Sequence, residues 1–295
     1  MNYALHFSLS KKKIPMIIGI VGDAERAVAW ERHIRPHNIV RQVVLAPHVH
    51  DLDRVDACFV VDTTLTRTEH LIDALKEGIP CFFISDFIIP SKELERIHRT
   101  SKEAGVEVQL AHWPTLSPST QWMKDKISKP QFIQIQRTIN RSKIAHSKHA
   151  FMNAWTDELA LCLKWIDSGI HLIEVKQSHL VGDQPQAIHL LIRFDSGASA
   201  SIQIQVSSTI EQHNRYIAAN QSFIECSVSE QELKYGFLDG QGHLLFETKK
   251  FDSTKAAEKS ALHFLKNVQL KKEVVYSAYD ALRFASNLEK IQSKL

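Results

Sequence analysis

From Met16 to Ala111, short apolar runs alternate with amphipathic stretches of helical length, and no other feature of the sequence restricts the fold as tightly. The first run, IPMIIGIVG at Ile14 to Gly22, is apolar almost throughout and ends in glycine. A strand of that kind is covered on both faces, which suits a parallel sheet flanked by helices. A helical segment follows over Ala24 to Ile34, and VRQVVLA (Val40 to Ala46) and VDACFVV (Val55 to Val61) predict two further strands. TRTEHLIDALKEG (Thr66 to Gly78) predicts an amphipathic helix closed by its glycine. PCFFI, a helix over Ser91 to Ala104 and VEVQLAH continue the series. Strands and helices alternating at these lengths imply right-handed crossovers and a doubly wound parallel sheet.

After Pro130 the period changes. FIQIQRTI alternates, a helix fills Ala150 to Asp167, and IHLIEVKQSHLV, AIHLLIRF, ASASIQIQV and FIECSVS alternate between turns such as DSG and DGQG. This predicts a large, mainly antiparallel sheet with one covered face. Helices over Thr254 to Lys266 and Ser277 to Ile291 complete an α+β domain. A chain of 295 residues is long enough for two domains. The expected division is a peripheral extension over 1–15, a dinucleotide-binding-like domain over 16–125 and an α+β domain over 126–295.

With 44% hydrophobic and 23% charged residues, disordered and membrane-spanning classes are excluded. A net charge of +3 is too weak a bias to predict a nucleic-acid or membrane surface. Cys58, Cys81, Cys162 and Cys226 lie far apart in apolar runs, as buried thiols in a reducing compartment do, and the expected location is cytoplasmic. His48-Val-His50-Asp51 has a metal-like spacing but no third ligand, so it reads as a solvated loop and no metal site is expected.

IIGIVG at Ile17 to Gly22, VDACFVV followed by HLIDALKEGIP, SKELERIHRTSKEAGVEVQLAH (Ser91 to His112) and LLIRFDSGASASIQIQ (Leu190 to Gln205) together resemble the Gfo/Idh/MocA family of NAD(P)-dependent oxidoreductases. The resemblance covers nearly the whole chain. It implies a Rossmann domain before an open-faced α/β domain, an NAD or NADP cofactor, a sugar- or polyol-like substrate, and homodimers formed through the C-terminal sheet.

The family's chemical motifs are altered here. In a G-x-G-x-x-G turn, backbone N–H groups at a helix N-terminus approach the cofactor's diphosphate. The corresponding residues are Gly22, Asp23, Ala24, Glu25, Arg26 and Ala27, so a methyl replaces the middle glycine and two acids flank it. Pro47 stands where an acidic residue would take the ribose hydroxyls. The family's T-P-x-x-x-H segment falls on Asp62, Thr63, Thr64 and Arg67, and its E-K-P segment on Ile84, Ser85 and Asp86, so Ser85 replaces the lysine beside the reacting hydroxyl. The candidate cofactor-binding positions are therefore Gly22, Asp23, Ala24, Arg26, Thr63 and Ser85. His112 matches the histidine of the family's G-H-x-x-R-F segment, and His112 and Trp113 read as substrate-pocket wall.

The family's D-x-G-x-H-x-x-D-x-x-x-W signature admits two registers. Anchored on Trp165, it puts Glu158 at the catalytic histidine and Leu161 at the aspartate. Anchored on Asp167, Gly169, His171 and Glu174, it preserves H-x-x-E, but IHLIEVKQSHL alternates like a strand, and the first register is preferred. In that register Glu158 sits within an apolar arc of Phe151, Ala154, Trp155, Leu161, Cys162 and Trp165 and must be paired, protonated or facing a cavity. The candidate catalytic residues are Glu158 and His171. The expected function is a catalytically degenerate homologue that binds a ligand or acts by assembly; the alternative is an active oxidoreductase with relocated acid/base residues.

Overall fold

The computed structural model describes residues 14–61, 67–85, 88–145, 149–179, 185–207 and 209–295. The chain opens with β1 (Met16–Val21), α1 (Ala24–Ile34), β2 (Val40–Ala46), β3 (Ala57–Val60), α2 (Arg67–Lys76), β4 (Cys81–Phe83), α3 (Ser91–Ala104) and β5 (Val108–Leu110). These strands form the expected parallel sheet, in the order β2-β1-β3-β4-β5. β3, β4 and β5 are buried at every position because helices cover both faces of the sheet. The α3 helix stops where Gly105 takes the left-handed conformation at φ 66°, its N–H closing the last turn onto Ser101 and Lys102 carbonyls.

Two helices follow, α4 (Trp113–Leu116) and α5 (Pro118–Lys126), the second capped by Ser117. Then come β6 (Phe132–Asn140), α6 (Arg141–Ala145), α7 (Ala150–Trp165), β7 (Ile170–His179), β8 (Pro185–Phe194), β9 (Ser199–Ser207) and β10 (Gln212–Ala219). β11 (Ser222–Ser227), β12 (Glu232–Leu238), β13 (Leu244–Lys250), α8 (Ala256–Leu270) and α9 (Ala278–Gln292) complete the chain. The eight strands run β13-β12-β11-β10-β6-β9-β8-β7, antiparallel throughout except that β6 and β9 are parallel. The inner face presents Ile133, Ile135, Leu190, Ile202, Ile204 and Ile217 to the apolar side of α7. The outer face is turned to solvent at Gln136, His189 and Gln203, as an open-faced sheet requires.

The two sheets fall on either side of residue 126, but the last two helices pack back across it. Ala261, Phe264 and Leu265 of α8 share one core with Met16, Ile18, Trp30 and Phe59. Ala278, Ala281 and Ala285 of α9 join Val60, Phe83 and Leu110 in a second core, while Leu288 and Ile291 of the same helix reach the core of the large sheet. The C-terminus therefore clamps both sheets. The first thirteen residues of the expected extension lie outside the described residues; Ile14 follows them, its carbonyl accepting from Gln269 Nε2 at 3.0 Å. No helix among the described residues is long and apolar enough to cross a membrane.

Candidate functional site

The C-terminal ends of β4 and β5 face α7 and α9 across a cleft, the place where open α/β sheets hold their ligands. A cavity of about 340 Å³ there is lined by Ser85, His112, Trp113, Asn153, Thr156, Asp157 and Tyr276. A second, of about 290 Å³, lies between the N-terminus of α5 and the inner face of the large sheet, lined by Arg137, Glu158, His213 and Arg215 among others. The two meet at Trp113, Pro114 and Asp157.

Glu158 stands on the buried side of α7 with no exposed surface, among Trp155, Leu161, Cys162 and Trp165. Its carboxylate accepts a two-pronged bond from Arg215, Nε at 2.9 Å and Nη2 at 2.7 Å, and His213 Nε2 lies 2.9 Å from the same carboxylate. Arg215 Nη1 also donates to Thr120 Oγ1 at 3.4 Å. Burial pushes the Glu158 carboxyl up, but the Arg215 and His213 partners outweigh it and hold it well below the usual carboxylate range. His213 is shifted down, mainly by burial. The preferred register is thus carried by a helix, and its glutamate is the paired kind. Sequence reasoning missed Arg215 and His213; their signal is the alternation of HNRYI, which puts Arg215 on the same face as Ile217.

His112 follows β5 as the N-cap of α4, with Nδ1 2.6 Å from Thr115 Oγ1 and its ring stacked on Tyr276 at 4.8 Å. Its Nε2 is buried without a hydrogen-bond partner among the described residues, 3.9 Å from Asp157 Oδ1. Burial lowers His112 to about 4, and burial together with Glu158 raises Asp157 to about 6. The Asp157 side chain is 44% exposed, so solvent screens part of that effect. Trp113 is 41% exposed and stacks on Trp30 at 6.2 Å. The expected pocket wall of His112 and Trp113 thus lines the cleft.

These two shifts oppose each other in stability. His112 falls from 6.5 unfolded to about 4 folded, so its contribution is lost as pH drops through that window. Asp157 rises from 3.8 to about 6, so its ionisation destabilises above that value and relief comes as pH falls from 6 toward 3.8. Asp157→Asn should therefore lose stability more steeply than wild type between about pH 6.5 and 4, and His112→Gln less steeply. Urea midpoints across that range check this; parallel curves for all three proteins would contradict the geometry.

In the loop after β1, Gly22 turns at φ 123° and Asp23 caps α1, its Oδ1 accepting the Arg26 N–H at 2.9 Å. A carboxylate thus takes an N–H that would greet a diphosphate, with the Ala24 methyl and Glu25 in the first turn beside it. These residues do not fit that group. Ser85 lines the cleft, whereas Thr63 lies outside the described residues. His171 is not brought to the cleft: it stands on β7, the far edge strand, with its side chain 73% exposed and 3.9 Å from Asp195. The strand periodicity of IHLIEVKQSH decides this, because it leaves no helix to carry H-x-x-E. His48 and His50 stack at 5.2 Å, and no group of His, Cys, Asp and Glu among the described residues is arranged for a metal ion. All four cysteines are free and buried.

No family model matches the chain, and no curated protein is significantly similar to it in sequence. Solved structures do match. UDP-N-acetylglucosamine 3-dehydrogenase from Acidithiobacillus ferrooxidans superposes with a TM-score of 0.75 at 14% identity, covering 94% of this chain and 96% of that one. The fold is that of the Gfo/Idh/MocA-type oxidoreductases. An oxidoreductase from Agrobacterium radiobacter, solved with NAD+, L-tartaric acid and magnesium, matches at TM-score 0.73 and 9% identity over 94% and 95% of the two chains. Apo scyllo-inositol dehydrogenase from Lactobacillus casei matches at 0.67 and 13% identity over 95% and 96%.

Proposed function

We propose that this oxidoreductase-type fold serves a non-redox ligand-binding protein whose hydride-transfer machinery has been replaced. The observation that carries the reading is the Glu158–Arg215–His213 cluster: at the helix position expected to relay a proton, a fully buried carboxylate is held ionised by a two-pronged arginine. A group so held neither gives up nor takes a proton at neutral pH. Ser85 in place of a lysine and the Asp23-capped helix point the same way. Each lost proton-transfer or electrostatic group costs on the order of 10² to 10³ in rate.

Titrating NADH and NADPH while following nicotinamide fluorescence tests this. The expected result is no saturable change up to millimolar cofactor and no reduction of NAD or NADP with any polyol or sugar; saturable micromolar binding with turnover overturns the reading. A second reading, an active oxidoreductase with relocated acid/base groups, draws on Asp157 beside His112 in the cleft, and it predicts turnover lost on Asp157→Asn. On either reading the exposed outer face of the large sheet suits a second copy of the chain, and light scattering should give twice the 33.6 kDa chain mass. A monomer at micromolar concentration would sink that assembly.

A further inference from the structure

We infer that the cleft takes a small polyhydroxy carboxylate, a sugar acid, with its carboxylate on Arg137 and a hydroxyl between His112 and Asp157. The inference rests on the cleft being a ligand site and names what enters it.

Arg137 lies on β6 at the same inward parity as Ile133 and Ile135, in direct register with His213 of β10. It lines the second cavity and is only partly exposed, yet among the described residues its guanidinium has no hydrogen-bond or ion-pair partner within 4 Å. Five N–H donors in a planar fork, left facing a cavity, call for a flat two-oxygen acceptor. The neighbouring arginines differ. Arg215 is taken by Glu158, and Arg283 is spent on the carbonyls of Leu163, Ile166 and Ser168 and on Asp167.

The acids nearby do not supply the missing acceptor. Glu158 balances Arg215, Asp157 feels the charge of Arg137 with no ion pair between them, and Asp252 at the rim is turned onto Thr254. The N-terminus of α5, with Ser117 and Ser119 lining the same cavity, adds positive potential on the Arg137 side. On the other side of Asp157, the buried His112 Nε2 lacks a partner that a ligand hydroxyl would provide. Trp113, bordering both cavities and 41% exposed, offers an apolar surface for the carbon face of a sugar. A cation at one end, a hydroxyl-binding pair at the other and an indole between them fit an acid that also carries hydroxyls.

Calorimetric titration of the full chain with D-glucuronate, D-galacturonate and D-gluconate, each beside its neutral counterpart D-glucose, D-galactose or D-glucitol, tests this. At least one acid should bind tenfold or more tightly than its neutral partner. Arg137→Met should abolish that preference, bringing the acid down to the affinity of its neutral partner, Arg137→Lys should restore part of it, and His112→Phe should weaken acid and neutral ligand alike. Equal binding of acid and neutral forms, or neutral forms only, overturns the carboxylate assignment and leaves the ligand cleft standing. Inorganic phosphate binding as tightly as the best acid also overturns it, making Arg137 a general anion site. If no sugar, acid or neutral, binds, the inference and the ligand-site reading fall together. The wild-type contrast decides even where a variant fails to fold.

Discussion

Replacing Glu158 with alanine is expected to lower the melting temperature by about 6–10 °C. Arg215, 4% exposed in the intact protein, loses its carboxylate on this substitution and keeps only a long contact to Thr120. Removing one partner of a buried ion pair costs about 3–5 kcal/mol, since the surviving charge keeps its desolvation penalty, and in a large chain each kcal/mol moves the midpoint by roughly 2 °C. The partner substitution sharpens the expectation. In Glu158→Ala/Arg215→Met both charges are gone, so the double variant should melt above the single one. Differential scanning calorimetry on the three proteins gives the comparison. A Glu158→Ala protein that melts with wild type would show the carboxylate to be dispensable for the fold, and a proton-handling role would then regain its standing.

That expectation also marks how far residue patterns reach. An apolar arc around Glu158 requires a partner, a protonated state or a cavity, and periodicity alone cannot choose among them. The partners come from β10, more than fifty residues downstream, on a strand whose QHNRYIAA carries few of the branched side chains that signal a strand. The alternation of HNRYI sets His213 and Arg215 on the face of Ile217, but that this face meets Glu158 is legible only after β10 is known to pair with β6. Arg137 escaped differently: the alternation of FIQIQRTI already sets it on the face of Ile133 and Ile135, but nothing local says that this end of the face borders a cavity. By contrast, Asp23 was readable where it stood. An acid before an apolar-periodic segment is an N-cap signal, and the structure places its carboxylate on the Arg26 N–H.

The parallel sheet was legible because each of its inner strands is apolar at nearly every position, a consequence of cover on both faces. Less legible was who provides that cover. Helices α8 and α9 follow the antiparallel strands in sequence, and nothing local in AAEKSALHFLKNVQL says which sheet its apolar stripe meets. The second expectation turns on that point.

Phe264→Ala is expected to cost about 3–5 kcal/mol, the range for deleting a fully buried aromatic ring, and to loosen the N-terminal sheet first although the residue lies near the C-terminus. Phe264 is 0% exposed, with ring centroids 5.7 Å from Phe59 on β3 and 5.5 Å from Phe82 on β4. Those two strands belong to the parallel sheet that ends at the cleft, and the cavity left behind opens on the face shared by Ile18, Phe59 and Phe82, opposite the one on which Phe83 and Leu110 line the cleft. Hydrogen exchange should therefore quicken at the amides of β1, β3 and β4, while β6, β9 and β10 keep their protection because their core is built on α7. Phe246, on the edge strand and 52% exposed, serves as the control, and its alanine variant should stay within about 0.5 kcal/mol of wild type. If Phe264→Ala instead released the large sheet, α8 would belong with the strands that precede it in sequence. If exchange quickened in both sheets equally, the clamp made by α8 and α9 would couple them into one cooperative unit, and substitutions in either half would then act on the cleft as strongly as substitutions within it.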